Sequence, residues 1–235
     1  MNILVILVSF VAFLMVVLPG LLYKYGLFAL STAFAGLRYG VYVGGAALVL
    51  LLVYLVLKRK NSNWGLAAAS ALLALFAVAV PVSLLNKARS VPPIHDISTD
   101  LVNPPEFIAI APLRADAPNP VAYAGEETAE QQRVAYPELA TQQYSQSLEQ
   151  VFAAAEAAVK SYGMEIVNVD RAAGIIEATH TTAWFGFKDD VIIRVVDNGE
   201  MRLLDIRSKS RVGRSDVGKN AERINSLISS INSAL

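Results

Sequence analysis

From Asn2 to Leu85 hydrophobic positions run almost without a break. A bilayer-crossing helix needs about 20 mostly apolar residues, and three stretches meet that length: 2–22, 36–57 and 64–85. The middle one reaches it only when Val41–Leu57 is extended back to Gly36, which takes in Arg38. The intervening run Gly26–Gly36 is apolar but too short to cross, and is expected to lie along the interface. Helices are expected because lipid-exposed backbone must satisfy its own hydrogen bonds. The pattern then changes. Eight of the ten prolines fall between Pro92 and Pro137, and no period survives there, since proline fixes φ and removes a backbone donor.

A third rhythm follows. Leu148, Val151, Phe152, Ala155, Val159 and Tyr162 recur at helical spacing, with Gly163 as a stop. Val217, Ala221, Ile224, Ile228, Ile231 and Leu235 do the same after Ser215 or Asp216, either of which suits an N-cap. Between them Met164–Asp170, Ile175–Thr182, Asp189–Val196 and Met201–Val212 read as strands. The expected fold class is therefore α+β: three N-terminal transmembrane helices, then a small soluble domain of antiparallel β-strands flanked by two helices. The expected organisation is a helical region at 1–86, a partly docked proline-rich tether at 87–141, and the soluble domain at 142–235.

Charge sharpens this division. None of the twenty acidic residues precedes Leu85, and only Lys24, Arg38, Lys58, Arg59 and Lys60 of the twenty basic ones do. The positive-inside tendency places Lys58-Arg59-Lys60 in the cytoplasm. With three spans, the C-terminal domain is then expected outside an inner (plasma) membrane. The first stretch lacks a basic leader region, so a cleaved signal peptide is not expected. No Asp, Glu or His lies within the spans, which argues against a proton or ion relay. Gly40-x-x-x-Gly44 and the alanines of the third stretch would permit close helix packing, but are read as the ordinary small residues of membrane helices.

The last two strands suggest a site. Asn198-Gly199 is a two-residue hairpin signal. That turn sets Val191 opposite Ile206, Ile193 opposite Leu204 and Val195 opposite Arg202 on a face meant for the helices. Asp190–Arg207, Ile192–Asp205 and Arg194–Leu203 pair on the other face. Carried outward, the register puts Lys188 opposite Lys209 and Arg211 opposite Gly186, with Trp184 on the same face. Like charges opposite one another are unfavourable, and Arg214 stands just before a helix N-terminus that favours anions. Lys188, Lys209, Arg211, Arg214 and Trp184 thus form a candidate anion-binding edge, with a lipid headgroup or an anionic small molecule as ligand.

Other chemistry is thinly represented. His95, Asp96 and Asp100 are read as linker residues, so no metal and no cofactor is expected. Ser208, Ser210 and His180 are the only hydrolase candidates, without a nucleophile elbow, and no catalytic residue is assigned. No phosphate-binding glycine loop is present. The soluble part is net acidic, which disfavours nucleic acid.

Pro93-Ile94-His95-Asp96-Ile97-Ser98-Thr99-Asp100 with Asn103-Pro104-Pro105, then Trp184-Phe185-Gly186-Phe187-Lys188-Asp189-Asp190, and above all the run from Asp205 to Ala221 resemble the domain of unknown function 1499 family. The resemblance extends from about Pro93 to the C-terminus. It implies that the proline-rich segment belongs with the soluble domain, and it carries no assigned activity. Three functions are weighed. The first is a non-catalytic envelope protein whose external domain binds an anionic ligand or a partner protein. The second is a membrane scaffold or assembly subunit acting through its helices on a membrane protein partner, and the third is a hydrolase. Membrane lipid is a partner in each.

Overall fold

A computed structural model describes residues 2–58, 60 and 62–235. The chain divides into two compact units. One comprises residues 1–87 together with 183–186, the other residues 88–182 and 187–235.

The first unit contains α1 (Asn2–Lys24), α2 (Leu30–Lys58) and most of α3 (Trp64–Ser90), each long and apolar enough to cross a membrane. Residues from Leu30 onward belong to α2 and do not form a separate interfacial segment. Nothing between Leu30 and Gly36 breaks the helix, and the reversal falls instead at Gly26, where φ is +72°. Glycines every four residues along α2 set the packing. A Cβ on Gly36 would stand 2.7 Å from Pro19 Cγ, one on Gly40 2.7 Å from Val16 Cγ2, and one on Gly44 3.2 Å from the Ala74 carbonyl oxygen. Gly36 and Gly40 therefore admit α1, and Gly44 admits α3, the close approach small residues allow between membrane helices. These glycines have a packing role that the sequence reading did not give them. In the Lys58-Arg59-Lys60 cluster, Arg59 lies outside the described residues.

The second unit is an antiparallel six-stranded sheet with helices. Its strands are β1 (Asp96–Ser98), β2 (Gln142–Tyr144), β3 (Glu165–Asp170), β4 (Ile175–Thr181), β5 (Lys188–Asp197) and β6 (Arg202–Ser210). They run in the order β1-β6-β5-β4-β3, and β2 shares the outer edge of β6 with β1. The helices are α4 (Glu126–Ala135), α5 (Leu148–Ser161) and α6 (Lys219–Ala234). A capping box starts α5, where Ser147 and Gln150 satisfy each other's backbone amides.

The apolar stripes of α5 and α6 cover one face of the sheet. Val151, Phe152, Ala155, Val159, Ile224, Leu227 and Ile231 meet Ile176, Ala178, Val191, Ile193, Val195, Leu204 and Ile206 in one buried cluster. Strand alternation assigns these residues to the correct face, but the register differs from the expected one by two residues. Val191 pairs with Ser208, Ile193 with Ile206, Asp190 with Lys209 and Arg194 with Asp205. The cause lies in the turn. Asn198 Oδ1 accepts from the amides of Glu200 and Met201, and Asp197 Oδ1 accepts from that of Gly199. These side chains stabilise a four-residue loop, Asn198–Met201, where a two-residue turn was expected. A shift of two keeps every side chain on its face.

The opposite face is covered by the proline-rich segment. Phe107 and Ile110 pack on Ile175 and Ile192, with Val121 beside them. Gln132 of α4 holds the outer edge of β1: its Oε1 accepts from the Ser98 amide at 3.0 Å, and its Nε2 donates to the Ser98 carbonyl at 2.6 Å.

Candidate functional site

Even-numbered residues of β5 and odd-numbered residues of β6 point to the face beneath the proline-rich segment. Two carboxylates, Asp96 and Asp190, are fully buried there and gather four cations. Arg207 grips Asp96 with two parallel bonds, Nε to Oδ1 at 2.9 Å and Nη2 to Oδ2 at 3.0 Å, and Lys209 Nζ reaches Asp96 Oδ2 at 2.8 Å. Arg211 grips Asp190 in the same bidentate way, both bonds at 2.8 Å, while Arg114 Nη1 adds a bond at 3.0 Å and Thr179 Oγ1 one at 2.7 Å. Forked guanidinium–carboxylate bonds of this kind fix geometry as well as charge.

Four cations exceed two carboxylates, and the surplus donors are used on backbone. Arg207 donates to the carbonyls of Pro105 and Val121, Lys209 to that of Ala122, Arg211 to that of Leu113, and Arg114 to those of Asn119 and Ser210. The covering segment is short of regular structure, so the carbonyls of Pro105, Leu113, Asn119, Val121 and Ala122 would otherwise lack buried partners. One strand over, Glu177 accepts from the amides of Ile108, Ala109 and Ile110 at 2.8, 2.7 and 3.1 Å. The charged face of the sheet thus supplies the hydrogen bonds that the covering layer cannot make for itself. Burial pulls the Lys209 ammonium below its usual range against the opposing pull of Asp96. Burial, with Asp96 nearby, pushes the Tyr123 phenol up to about 12.

This arrangement redistributes the predicted anion-binding edge. Lys188 pairs with Arg211, not Lys209: the Arg211 amide donates to the Lys188 carbonyl at 2.9 Å. Lys209 is 1% exposed and bonded to Asp96, and Arg211 is bonded to Asp190. Lys188 and Arg214 are exposed. Trp184 lies in the first unit, where its indole Nε1 donates to the Val17 carbonyl at 2.9 Å and its ring meets Phe185. It makes no cation–π pair with Arg211 among the described residues. The helix N-terminus after Arg214 already holds an anion from the chain itself, because Asp216 accepts from the amides of Gly218 and Asn220.

A polar network on the helix-covered face contains the hydrolase candidates. The Ser208 hydroxyl donates to Asn220 Oδ1 at 2.7 Å. Arg223 sits between serine and histidine, with Nη1 on Ser208 Oγ at 2.9 Å and Nη2 on Asp189 at 2.7 Å and near His180 Nδ1 at 3.3 Å. Ser210 Oγ accepts from Asn220. Neither hydroxyl is aimed at the imidazole, and Ser208 and Ser210 are both buried. Burial and the neighbouring Arg223 charge pull His180 below its ordinary value of 6.5. Among the described residues, no group of three or more His, Cys, Asp or Glu is placed to hold a metal. Asp96 is engaged with Arg207 and Lys209, and Asp100 with Arg194.

The sequence reading missed Asp96, Asp190, Arg114 and Arg207 as a cluster. A usable signal was present: like charges on one strand imply carboxylates opposite, and a register two residues longer sets Asp190 beside Lys209.

Residues 96–231 match the model of a family described as "Protein of unknown function (DUF1499)". The chain belongs to that family. A comparison with curated proteins gave no match.

Proposed function

We propose that this DUF1499 protein is a membrane-anchored, non-catalytic module whose C-terminal domain, outside the cytoplasm, engages an anionic ligand or an acidic partner protein. The supporting observation is the accounting of cations at the end of the β5–β6 ribbon. Lys209, Arg207, Arg211 and Arg114 are taken up by Asp96, Asp190 and backbone carbonyls, while Lys188 and Arg214 stay exposed at that same end. The recognition role expected of the whole edge therefore narrows to Lys188 and Arg214, with the half-buried Arg211 beside them. Two exposed cations, Lys188 at the start of β5 and Arg214 in the loop after β6, suit capture of an acidic surface or headgroup, whose rate depends on charge. The Lys58-Arg59-Lys60 cluster and three spans support a domain outside the cytoplasm, against the pull of Lys24, Arg38, Lys87 and Arg89.

Charge reversal tests this. Lys188→Glu with Arg214→Glu is expected to abolish co-purification of the partner from gently solubilised membranes while leaving thermal unfolding unchanged. Undiminished capture would remove the reading. A second reading, a membrane scaffold acting through its helices, draws on the glycine-spaced packing of α2 against α1 and α3. If a chain lacking residues 1–86 still captures its target, that alternative fails.

A further inference from the structure

We propose that Arg38, with Tyr39 and Tyr42, forms a binding site on α2 for the phosphate of an anionic phospholipid. Arg38 is the one charged side chain among the described residues of α1–α3 that lies inside a helix and not in its last turn. Its position matches the bilayer. At 1.5 Å per residue it stands about 30 Å along α2 from Lys58, the thickness of the hydrocarbon layer. Neighbouring contacts give its level on α1. Gly36 lies against Pro19 and Gly40 against Val16, so Arg38 is level with about Val17–Leu18, roughly 9 Å short of Lys24 along the helix. Arg38 thus marks the edge of the hydrocarbon layer, and Lys24 reaches the outer headgroup zone.

Aromatic residues gather at this depth, as they do at membrane–water interfaces. Tyr39 and Tyr42 are 51% and 63% exposed, their rings meet edge to face at 6.2 Å, and Arg38 lies 5.3 Å from the Tyr39 centroid. Trp184 is nearby in the same unit through Val17.

The charge balance names the ligand. The first unit contains Lys24, Arg38, Lys58, Arg59, Lys60 and Lys87 and not one Asp or Glu. Lys24 has the Ala183 carbonyl at 3.1 Å, whereas among the described residues the Arg38 guanidinium meets the Tyr39 ring and no carboxylate or carbonyl. A cation at the edge of the hydrocarbon layer reaches the phosphate level of the interface, and with no carboxylate in its unit the counter-charge there is lipid phosphate. A guanidinium fork fits two phosphate oxygens, and the two phenols add donors from the same helix. Phosphatidylglycerol should be preferred over phosphatidylcholine, whose own cation competes.

The full-length protein, extracted in mild detergent and equilibrated with equal phosphatidylglycerol and phosphatidylcholine, is assayed for retained lipid by native mass spectrometry. Phosphatidylglycerol is expected to be retained about tenfold over phosphatidylcholine, with that preference lost in Arg38→Gln and weakened a few-fold in Tyr42→Phe. Equal retention by wild type and Arg38→Gln overturns the site. If Arg38→Gln fails to fold, the wild-type preference decides, and equal retention of the two lipids overturns it. Millimolar inorganic phosphate is expected to leave the lipid bound; displacement would assign the site to soluble phosphate and overturn the lipid reading. Lys188→Glu with Arg214→Glu should leave this retention untouched, which separates the site from the proposed function of the domain.

Discussion

The sheet of the soluble domain is closed on its two faces by different physics. Toward α5 and α6 it presents mostly Ile, Val, Leu and Ala, and the cover is regular helix whose backbone satisfies itself. Toward residues 99–124 it presents Asp190, Arg207, Lys209, Arg211 and Glu177, and the cover is irregular chain whose amides and carbonyls need outside partners. A self-sufficient cover allows an apolar underside, whereas an irregular cover requires a charged one. The buried ions on the second face serve as much to fix the path of that cover as to bind each other.

The comparison can be broken most sharply at Asp96. Asp96→Ala strands Arg207 and Lys209, and removing one partner of a buried pair costs about 3–5 kcal/mol. Urea unfolding of the protein in micelles should shift accordingly, with hydrogen exchange of the 105–122 amides rising first. On the helix face, Leu227→Ala should cost about 2–5 kcal/mol by cavity formation, with protection lost across α6 and the covering segment still in place. If the two variants loosen the same amides, the faces are not independent closures.

Acid provides a milder test. His95 and His180 both lie below the ordinary value of 6.5, chiefly through burial. In the interval between the folded and ordinary values the unfolded chain binds more protons, so stability rises with pH. Their contribution is complete above 6.5 and is lost as pH falls through the folded values. Unfolding midpoints should therefore drop below pH 6.5, and less steeply in His180→Gln. Smaller still is the backbone term at Val217, a β-branched residue held at φ +58°. Val217→Gly should relieve on the order of 1 kcal/mol, read as a rise in the same midpoint. Lys188→Glu, on an exposed position, should leave that midpoint within about 0.5 kcal/mol.

Legibility in the sequence followed the same divide. The membrane helices were readable as unbroken apolar runs, and α5, α6 and the inward alternation of β5 and β6 because each buries a periodic stripe. The second face was not, because its cover has no period and its buried residues are charged, so Asp96 and Arg114 looked like solvated linker. The hairpin misled for a local reason: Asn198 spends its side chain on two amides, lengthening the loop and moving Lys209 from Lys188 to Asp190. Face survived that error and partnership did not, which is why Lys209 was put on the right face of β6 while its burial and its counter-ion were overlooked. In α2, composition showed small residues, but only the neighbouring helices reveal that Gly36 and Gly40 serve α1 and Gly44 serves α3.

Gln132 has a consequence beyond its own contact. By bonding the amide and carbonyl of Ser98 with one carboxamide, it imitates the next strand and ends the ladder at β1. Chains confined to two dimensions by their anchors meet often, and an open strand edge would invite them to polymerise. A single glutamine on a helix withholds that template at the β1 edge.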